Sequence, residues 1–257
     1  MKIATWNVRG LGCDKKKALI FQSLAENKPD IVCFQETKLD TICPLLAASF
    51  LPRNLRNFSF QPSLGSAGGL LTAWSNLFSA TVLSSSPSHL TTSFCSSSDN
   101  TSFSIINVYA PCDDQHRILF FDELSTTTLN LTGSVMILGD FNIYRYPHEK
   151  NNDNINWSEM ETFNDWINSE SLLDIDIPNR TFTWSNKRRH PTLVKLDRVF
   201  INPLWSQSFP LTEAKAVTAT TSDHTPILVH ISDSAPRSAI FRVENFWLQM
   251  PEFKNLV

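Results

Sequence analysis

Glycine is scarce in this chain, with 7 residues among 257. A glycine that interrupts an apolar run is therefore informative, because it marks a place where the backbone needs unusual freedom. An excess of charge of one sign is also lacking, since 22 Lys and Arg against 25 Asp and Glu leave a net charge of −3. This balance gives no overall basic footprint, so any binding of a polyanion must come from local basic patches or a metal ion.

Long hydrophobic runs are lacking as well. No run of 18 apolar residues is present, so we expect no transmembrane helix and no membrane partner. Residues 1–7 read as a strand without an apolar signal stretch, so secretion is not indicated and we expect a nuclear or cytoplasmic protein. The five cysteines are an odd number with no CxxC pair, which disfavours a zinc site or a disulfide framework.

What is present is the composition of a globular protein with a large core, at 42% hydrophobic and 18% charged residues. Many short strand-like runs alternate with a few amphipathic stretches, which favours an α/β fold with two packed mixed sheets and helices outside. Helices are predicted at 14–27, 115–130 (with Ile118, Leu119, Phe121 and Leu124 as its apolar face) and 158–169. Strands are predicted at 2–8, 31–36, 69–74, 79–84, 89–95, 102–109, 134–139, 182–185, 193–201, 213–218 and 226–231.

The last part of the chain differs from the rest. Residues 232–240 are rich in Ser, Pro and Ala and read as a linker. After them, 241–257 carry Phe246 and Trp247 in an apolar stretch that looks like the start of a further region. We therefore expect one domain over residues 1–231, followed by a linker and the start of a missing downstream region.

Polar residues recur where apolar strands end. Asn7, Glu36, Tyr109 and Asp140 with Asn142 each follow an apolar run, Asp197 lies within one, and Ser222-Asp223-His224 precedes one. A carboxylate at the tip of a buried strand is costly unless it is solvated, paired or bound to a metal ion. One such placement is ordinary, but this repetition indicates a single polar rim on a two-sheet core.

The residue types at this rim fit one reaction. Glu36, Asp140 and Asp223 are the hard oxygen donors that Mg²⁺ prefers. His224 with Asp197 can form a His–Asp dyad, and asparagine amides can orient a phosphate or a water molecule. Together these groups are typical of metal-assisted phosphodiester hydrolysis. Each residue alone is ambiguous, since a strand-end Tyr or Asn often satisfies backbone groups.

Six strings carry a resemblance to a known family, in that family's order over about residues 1–231. They are Thr5-Trp6-Asn7-Val8-Arg9-Gly10, Gln35-Glu36-Thr37-Lys38, Asn107-Val108-Tyr109-Ala110-Pro111, Gly139-Asp140-Phe141-Asn142, Leu196-Asp197-Arg198 and Ser222-Asp223-His224-Thr225-Pro226. The chain thereby resembles the endonuclease/exonuclease/phosphatase superfamily. Further strings bring it closest to the endonuclease domain of plant LINE-type (non-LTR) retrotransposons: Gly68-Gly69-Leu70, Thr181 to Asn186 and Phe246-Trp247.

The resemblance implies a four-layer α/β/β/α sandwich with an active site at one rim. It implies Mg²⁺ (with Mn²⁺ as an alternative ion) held mainly by Glu36, with Asn7 and Asp223 near it. Asp140 would activate the water or protonate the leaving group, and Asn142 would orient that water. Tyr109 would hold a phosphate oxygen, and His224, oriented by Asp197, would contact the scissile phosphate. The implied substrate is double-stranded DNA, cut to leave a 3′-hydroxyl that primes reverse transcription.

One position departs from the superfamily pattern. Relatives that repair abasic sites carry an Asp two residues after the first Asn, and here that residue is Arg9. This weakens a metal contact there and argues against an abasic-repair enzyme.

A basic loop follows the Thr183-Trp184-Ser185-Asn186 string. Lys187, Arg188 and Arg189, followed by His190, either form a solvated turn or contact DNA phosphates. The resemblance places this hairpin beside the DNA, so we predict DNA contacts from these basic residues and from Thr183 and Ser222. Ser222 has the alternative of capping a turn.

Three hypotheses follow for function. The first is a metal-dependent endonuclease domain that nicks DNA, with a truncated retrotransposon copy as one form of it. The second is a phosphomonoesterase or phospholipid diesterase of the same superfamily, since loops decide the substrate. The third is a non-enzymatic transposon remnant. We expect a monomer, and a reverse transcriptase domain as its partner in a full-length element.

Overall fold

The computed structural model describes residues 1–232. The predicted downstream region with Phe246 and Trp247, and the predicted linker after residue 232, lie outside these residues. The domain boundary at residue 231 therefore stays a prediction.

Strands and helices alternate along the described chain. The strands are β1 Lys2–Asn7, β2 Ile31–Gln35, β3 Asn57–Gln61, β4 Leu70–Trp74, β5 Phe78–Ser85, β6 His89–Ser96, β7 Ser102–Tyr109, β8 Ser134–Asp140, β9 Leu173–Asp174, β10 Trp184–Ser185, β11 Leu193–Val194, β12 Asp197–Ile201, β13 Thr212–Ala216 and β14 Ile227–Ile231. The helices are α1 Asp14–Asn27, α2 Pro44–Ala47, α3 Asp114–Leu129, α4 Trp157–Ser169 and α5 Pro203–Ser208, with a 3₁₀ turn at Pro147–Glu149.

These strands form two six-stranded mixed sheets and a small ribbon. The first sheet has the order β13-β14-β1-β2-β4-β3, the second has the order β5-β6-β7-β8-β12-β9, and β10 pairs with β11. The parallel pairs are β1 with β2, across helix α1, and β7 with β8, across helix α3. The predicted α/β class with two mixed sheets and flanking helices is confirmed.

Alternation along the strands explains the layers, because successive side chains of a strand point to opposite faces. Ile3 packs in a core between the two sheets, whereas its neighbour Ala4 packs with Ile20 and Leu24 of α1. A third core joins the outer face of the second sheet to α3 and α4, around Phe121 and Phe163. Three cores between four layers give the α/β/β/α sandwich.

Helix α3 corrects one detail of the prediction. Ile118 and Leu119, predicted on its apolar face, are 57% and 64% exposed, while Phe120 is 2% exposed. Phe120, Phe121 and Leu124 form the buried face. Because the apolar residues are consecutive, the sequence fits more than one buried face of the helix. Packing against the sheet determines which face is buried.

Strand predictions fail mainly at edges and breaks. The predicted strand 193–201 divides into β11 and β12, and only residues 184 and 185 of the predicted 182–185 are in a strand. Strand β3, unpredicted, lies at the edge of the first sheet and is half-buried along its whole length. No helix among residues 1–232 has both the length and the apolar character needed to cross a membrane.

Candidate active site

Strand direction brings the predicted rim together. Strands β1 and β2 are parallel with Asn7 opposite Gln35, so Glu36 follows at the same edge. In the second sheet β7 and β8 are parallel with Tyr109 opposite Asp140. Antiparallel β12 starts there with Asp197 opposite Asp140. The residues before β14 reach the same edge, because β14 runs antiparallel to β1.

Asn7 joins the two sheets at this edge. It is fully buried, and its Nδ2 donates to Glu36 Oε1 at 3.0 Å and to Asp140 Oδ2 at 2.8 Å. Its Oδ1 accepts the Arg9 backbone N–H at 3.0 Å. Asn7 thus holds the carboxylates of both sheets, and its oxygen is already used by the main chain. A ligand role for Asn7 stays a prediction.

Glu36 is buried beneath two partly exposed cations. Arg9 Nη1 lies 3.2 Å from Glu36 Oε1, and Lys38 Nζ lies 3.4 Å from Glu36 Oε2. Burial by itself would raise the pKa of Glu36, but the hydrogen bond from Asn7 and the two cations outweigh burial and hold the pKa below its ordinary value. Glu36 is therefore ionised at neutral pH. Arg9 Nε also lies 3.4 Å from Asp223 Oδ1.

His224 lies between two carboxylates. Its Nδ1 lies 2.9 Å from Asp197 Oδ2, and its Nε2 lies 3.6 Å from Asp140 Oδ2. Burial alone would lower the pKa of His224, but Asp197 and Asp140 raise it to about 9. The ring is therefore an imidazolium at neutral pH, with both ring nitrogens carrying protons.

Asp140 is 1% exposed, and its Oδ1 accepts the Asn142 backbone N–H at 3.0 Å. Burial, reinforced by Asp197, raises the pKa of Asp140 to about 7 against the opposing effect of His224. A carboxyl group with this pKa can take or give a proton near neutral pH.

Asp140, Asp197 and His224 also offer three ligand-type atoms within 4.8 Å of one another. His224 Nδ1 is hydrogen-bonded to Asp197 and its Nε2 forms an ion pair with Asp140, so both ring nitrogens already have carboxylate partners. A hard cation fits the Glu36 side better, where the carboxylates of Glu36 and Asp223 already attract positive side chains.

Tyr109 and Asn142 border the same carboxylates. Burial, together with Glu36, raises the pKa of Tyr109 far above its ordinary value, so the phenol keeps its proton. Asn142 Nδ2 donates to the Ala110 carbonyl at 2.7 Å, which fixes the amide beside Asp140.

Ser222 and Thr183, both predicted to contact DNA, are buried and hydrogen-bonded within the protein. Ser222 Oγ donates to the Asn7 carbonyl at 2.7 Å and accepts the His224 N–H at 3.1 Å. Thr183 Oγ1 accepts the Asp197 N–H at 3.0 Å. Both hydroxyls therefore position catalytic candidates, and their predicted DNA contacts stay untested.

The basic loop lies next to Asp223. Lys187, Arg188 and Arg189 are exposed, and Lys187 Nζ donates to the Ser222 carbonyl at 2.6 Å. The ribbon that carries the loop is fixed to the rim, because Trp184 Nε1 donates to Asp223 Oδ2 at 3.1 Å. The loop thus presents positive charge beside the candidate site.

Several rim residues have unusual backbone conformations. Arg9, Glu36, Lys38 and Asn142 all have φ between 50° and 55°, a region that non-glycine residues seldom adopt. Gly139 has φ 139°, and a Cβ there would lie 2.1 Å from the Val108 carbonyl oxygen. Such conformations concentrate at functional sites, where the surrounding structure holds them in place.

Sequence reasoning missed part of the site. It treated Arg9 only as a lost metal contact and gave Lys38 no role, yet both contact Glu36. It also missed a support beneath the rim, where Gln35 Nε2 donates to Asn107 Oδ1 at 2.7 Å across the two sheets. Both Gln35 and Asn107 lie in the quoted motif strings, which was the available signal.

Comparison with known sequences agrees with this geometry. The model of the Endonuclease/Exonuclease/phosphatase family matches residues 4–224. A curated relative, the Transposon TX1 uncharacterized 149 kDa protein of Xenopus laevis, is 25% identical over 272 residues. That match covers 100% of this chain but 20% of the relative, so the chain spans about a fifth of the relative's length.

Solved structures share the fold. An AP endonuclease from Leishmania major has a TM-score of 0.72 at 18% identity, covering 89% of this chain and 86% of its own. The APE2 catalytic domain from Xenopus laevis has a TM-score of 0.70 at 19% identity, covering 90% and 91%. The endonuclease domain of TRAS1, a telomere-specific non-LTR retrotransposon, has a TM-score of 0.68 at 10% identity, covering 90% and 97%.

The family match and the shared fold confirm the predicted superfamily and the prediction of a hydrolytic enzyme. By sequence and by fold, the chain belongs to the endonuclease/exonuclease/phosphatase family.

Proposed function

We propose that the chain is a Mg²⁺-dependent phosphodiesterase that nicks double-stranded DNA, of the kind encoded by non-LTR retrotransposons. The observation that carries this proposal is the convergence of Glu36, Asp140 and the Asp197–His224 pair at one rim. Within one pocket, this arrangement supplies carboxylates that can bind a metal cation. It also supplies a group that can transfer a proton and a positively charged group that can contact a phosphate.

Glu36 and Asp223, with Asp140 behind them, are the residues that would hold the cation. They are hard oxygen donors, and the guanidinium between Glu36 and Asp223 is an observed positive occupant. When bound, Mg²⁺ supplies a Lewis acid that neutralises phosphoryl oxygens and the leaving oxygen. Mn²⁺ has the same preference for oxygen ligands and serves as the alternative ion.

The protein's own groups account for the remaining chemistry. Asp140, with a pKa of about 7, exchanges a proton with the attacking water or the leaving group. His224, held as an imidazolium by Asp197, donates through Nε2 to the scissile phosphate. Tyr109 retains its proton and donates to a second phosphate oxygen, and Asn142 orients the reacting water.

DNA is the favoured substrate for two reasons. The loop of Lys187, Arg188 and Arg189 places exposed positive charge beside the pocket, where it can contact the backbone on either side of the scissile phosphate. The matched relatives include a transposon protein and a retrotransposon endonuclease domain, and a Neisseria 3′ phosphatase of the same fold is described as bound to product DNA hairpin.

The direct test is nicking of supercoiled plasmid with and without Mg²⁺. The wild type should relax the plasmid only with the cation, and Glu36→Gln should lower the rate about 10²-fold or more. Asp122→Asn is the matched control, because it also neutralises one carboxyl group but lies exposed on helix α3.

Two results would contradict the proposal. One is nicking by Glu36→Gln at the wild-type rate, which would point to a contaminating nuclease. The other is a folded wild type that leaves plasmid intact with Mg²⁺ or Mn²⁺. Turnover of phosphomonoesters or phosphoinositides by that protein would then favour the second functional hypothesis.

A further inference from the structure

Arg9 occupies the space between two carboxylates of the site. Its Nη1 lies 3.2 Å from Glu36 Oε1, and its Nε lies 3.4 Å from Asp223 Oδ1. One guanidinium therefore bridges a residue that follows β2 to a residue that precedes β14. The side chain is 47% exposed, so it reaches the carboxylates from the solvent side of the rim.

The backbone around Arg9 directs this side chain to the rim. Arg9 has φ 51°, and its N–H donates to Asn7 Oδ1 at 3.0 Å. The next N–H, of Gly10, donates to the Glu36 carbonyl at 2.6 Å. The turn after β1 is thus bonded to the turn after β2, and the bridging position of Arg9 is part of this construction.

A guanidinium and a divalent cation need the same partners. Both are attracted by the Glu36 and Asp223 carboxylates, but a guanidinium only donates hydrogen bonds and has no lone pair with which to share a metal site. The positive charge of Arg9 also repels an incoming cation at short range. Binding of the metal between these carboxylates therefore requires Arg9 to withdraw.

We propose that Arg9 is a resident cation that a divalent ion must displace, and that it sets the metal affinity of the site. This inference rests on the metal dependence of the proposed function. It has two consequences. Arg9 neutralises part of the acidic rim in the metal-free protein, which keeps the pocket formed. It also weakens metal binding, so that occupancy follows the free Mg²⁺ concentration rather than being permanent.

Isothermal titration calorimetry with Mg²⁺, and electron paramagnetic resonance with Mn²⁺, measure the metal dissociation constant of the protein without DNA. Half-exposed ion pairs are each worth a few-fold in an equilibrium constant, so Arg9→Gln should lower the dissociation constant about fivefold to tenfold. Arg9→Lys keeps the positive charge, so its metal dissociation constant should stay within about twofold of the wild-type value.

Lys16→Gln is the matched control. It removes one positive charge near the same rim, but Lys16 Nζ donates to the Arg9 carbonyl and forms no ion pair with Glu36 or Asp223. It should change the dissociation constant less than Arg9→Gln does. Equal effects of the two variants would mean that only the overall field matters, and the displacement proposal would be wrong.

Thermal unfolding gives a second, independent reading. Without metal, Arg9→Gln should unfold at a lower temperature than the wild type, since its carboxylates lose their bridge. Added Mg²⁺ should then raise its Tm more than it raises that of the wild type. Unchanged or weaker metal binding by a folded Arg9→Gln would overturn the inference. A wild type that binds Mg²⁺ in calorimetry but does not nick DNA would overturn only the proposed DNA nicking.

Discussion

Two buried charge clusters meet on strand β12, and they differ in balance. Asp197 enters the carboxylate cluster of the site, which we define as Glu36, Asp140, Asp197, Asp223 and His224. The next residue, Arg198, points to the opposite face and enters the arginine cluster, which we define as Arg145, Glu149, Asp174, Lys195 and Arg198. Arg198 bonds Glu149 and lies 2.8 Å from Asp174.

In the arginine cluster both carboxylates are fully compensated, because the three cations Arg145, Lys195 and Arg198 surround Glu149 and Asp174. The carboxylate cluster has four carboxylates and one buried cation, His224, and its other positive partners are the partly exposed Arg9 and Lys38. A cluster whose carboxylates are all compensated by its own cations can serve stability alone. A cluster left with excess negative charge costs stability and is suited to recruiting a cation, as expected of a functional site.

The strongest test of this contrast is neutralisation of Asp140. Asp140→Asn removes the proton-transfer group, so the plasmid-nicking rate should fall about 10³-fold. Urea unfolding of the same variant should show equal or higher stability, because it removes a carboxylate whose burial, with repulsion from Asp197, outweighs its attraction to His224. A clear loss of stability would mean that Asp140 is as structural as the arginine cluster.

The second largest effect is expected from a change in the arginine cluster. Arg198→Met leaves buried Glu149 and partly buried Asp174 without their main partner, so the free energy of unfolding should fall by about 3–5 kcal/mol. Arg53→Met, at an exposed position, should change it by less than about 0.5 kcal/mol. Urea titration of both variants checks this, and similar values for the two would remove the structural role of the cluster.

A smaller effect is expected from pH. The pKa of His224 is about 9 in the folded protein against an ordinary 6.5, so the folded state holds this proton more tightly. The stability gained is fully present below pH 6.5 and is lost as the pH rises through 9, by roughly 3–4 kcal/mol in total.

Urea unfolding from pH 6.5 to 9.5, with a chelator present, measures this loss. In His224→Gln the slope over this interval should flatten. The control His230→Gln changes an exposed position on β14, and its slope over this interval should match that of the wild type. An unchanged slope in His224→Gln would mean that the imidazolium is not stabilised by its carboxylates.

The smallest expected effect concerns the basic loop, whose charges lie outside both clusters. Arg188→Ala and Arg189→Ala should each weaken DNA binding a few-fold and reduce the slope of log K against log salt by about one. Arg56→Ala, an exposed change just before β3, should leave both unchanged. Fluorescence anisotropy with a labelled duplex at several salt concentrations distinguishes these outcomes.

Most of the fold was predictable because burial follows simple periodicities. The parallel pair around α1 and the run of strands from β5 to β8 have apolar patterns that only one layer arrangement satisfies. Strand β3 was missed because an edge strand is half-exposed and its pattern is weak. The face of α3 was misassigned because consecutive apolar residues fit several helical phases, and packing on the sheet decided between them.

The site was predictable as a set of residues but not as a network. Polar residues at strand ends indicated the rim, and strand direction then brought them together. The role of Arg9 depends on a left-handed turn at φ 51°, and nothing local in the Val8-Arg9-Gly10 string requires it. The hydroxyls of Ser222 and Thr183 likewise became supports only through hydrogen bonds to residues distant in sequence.

The alternation of Asp197 and Arg198 has a consequence for how such a protein deteriorates over generations. Loss of one residue just before β12 would exchange the two faces, so that Arg198 would lie on the face of His224 and Asp197 on the face of Glu149 and Asp174. Such a deletion should disrupt both the site and the fold in one event. Single base changes could remove the proposed activity and leave an intact, inert scaffold, so inactive descendants that still fold should carry substitutions rather than gaps in this strand.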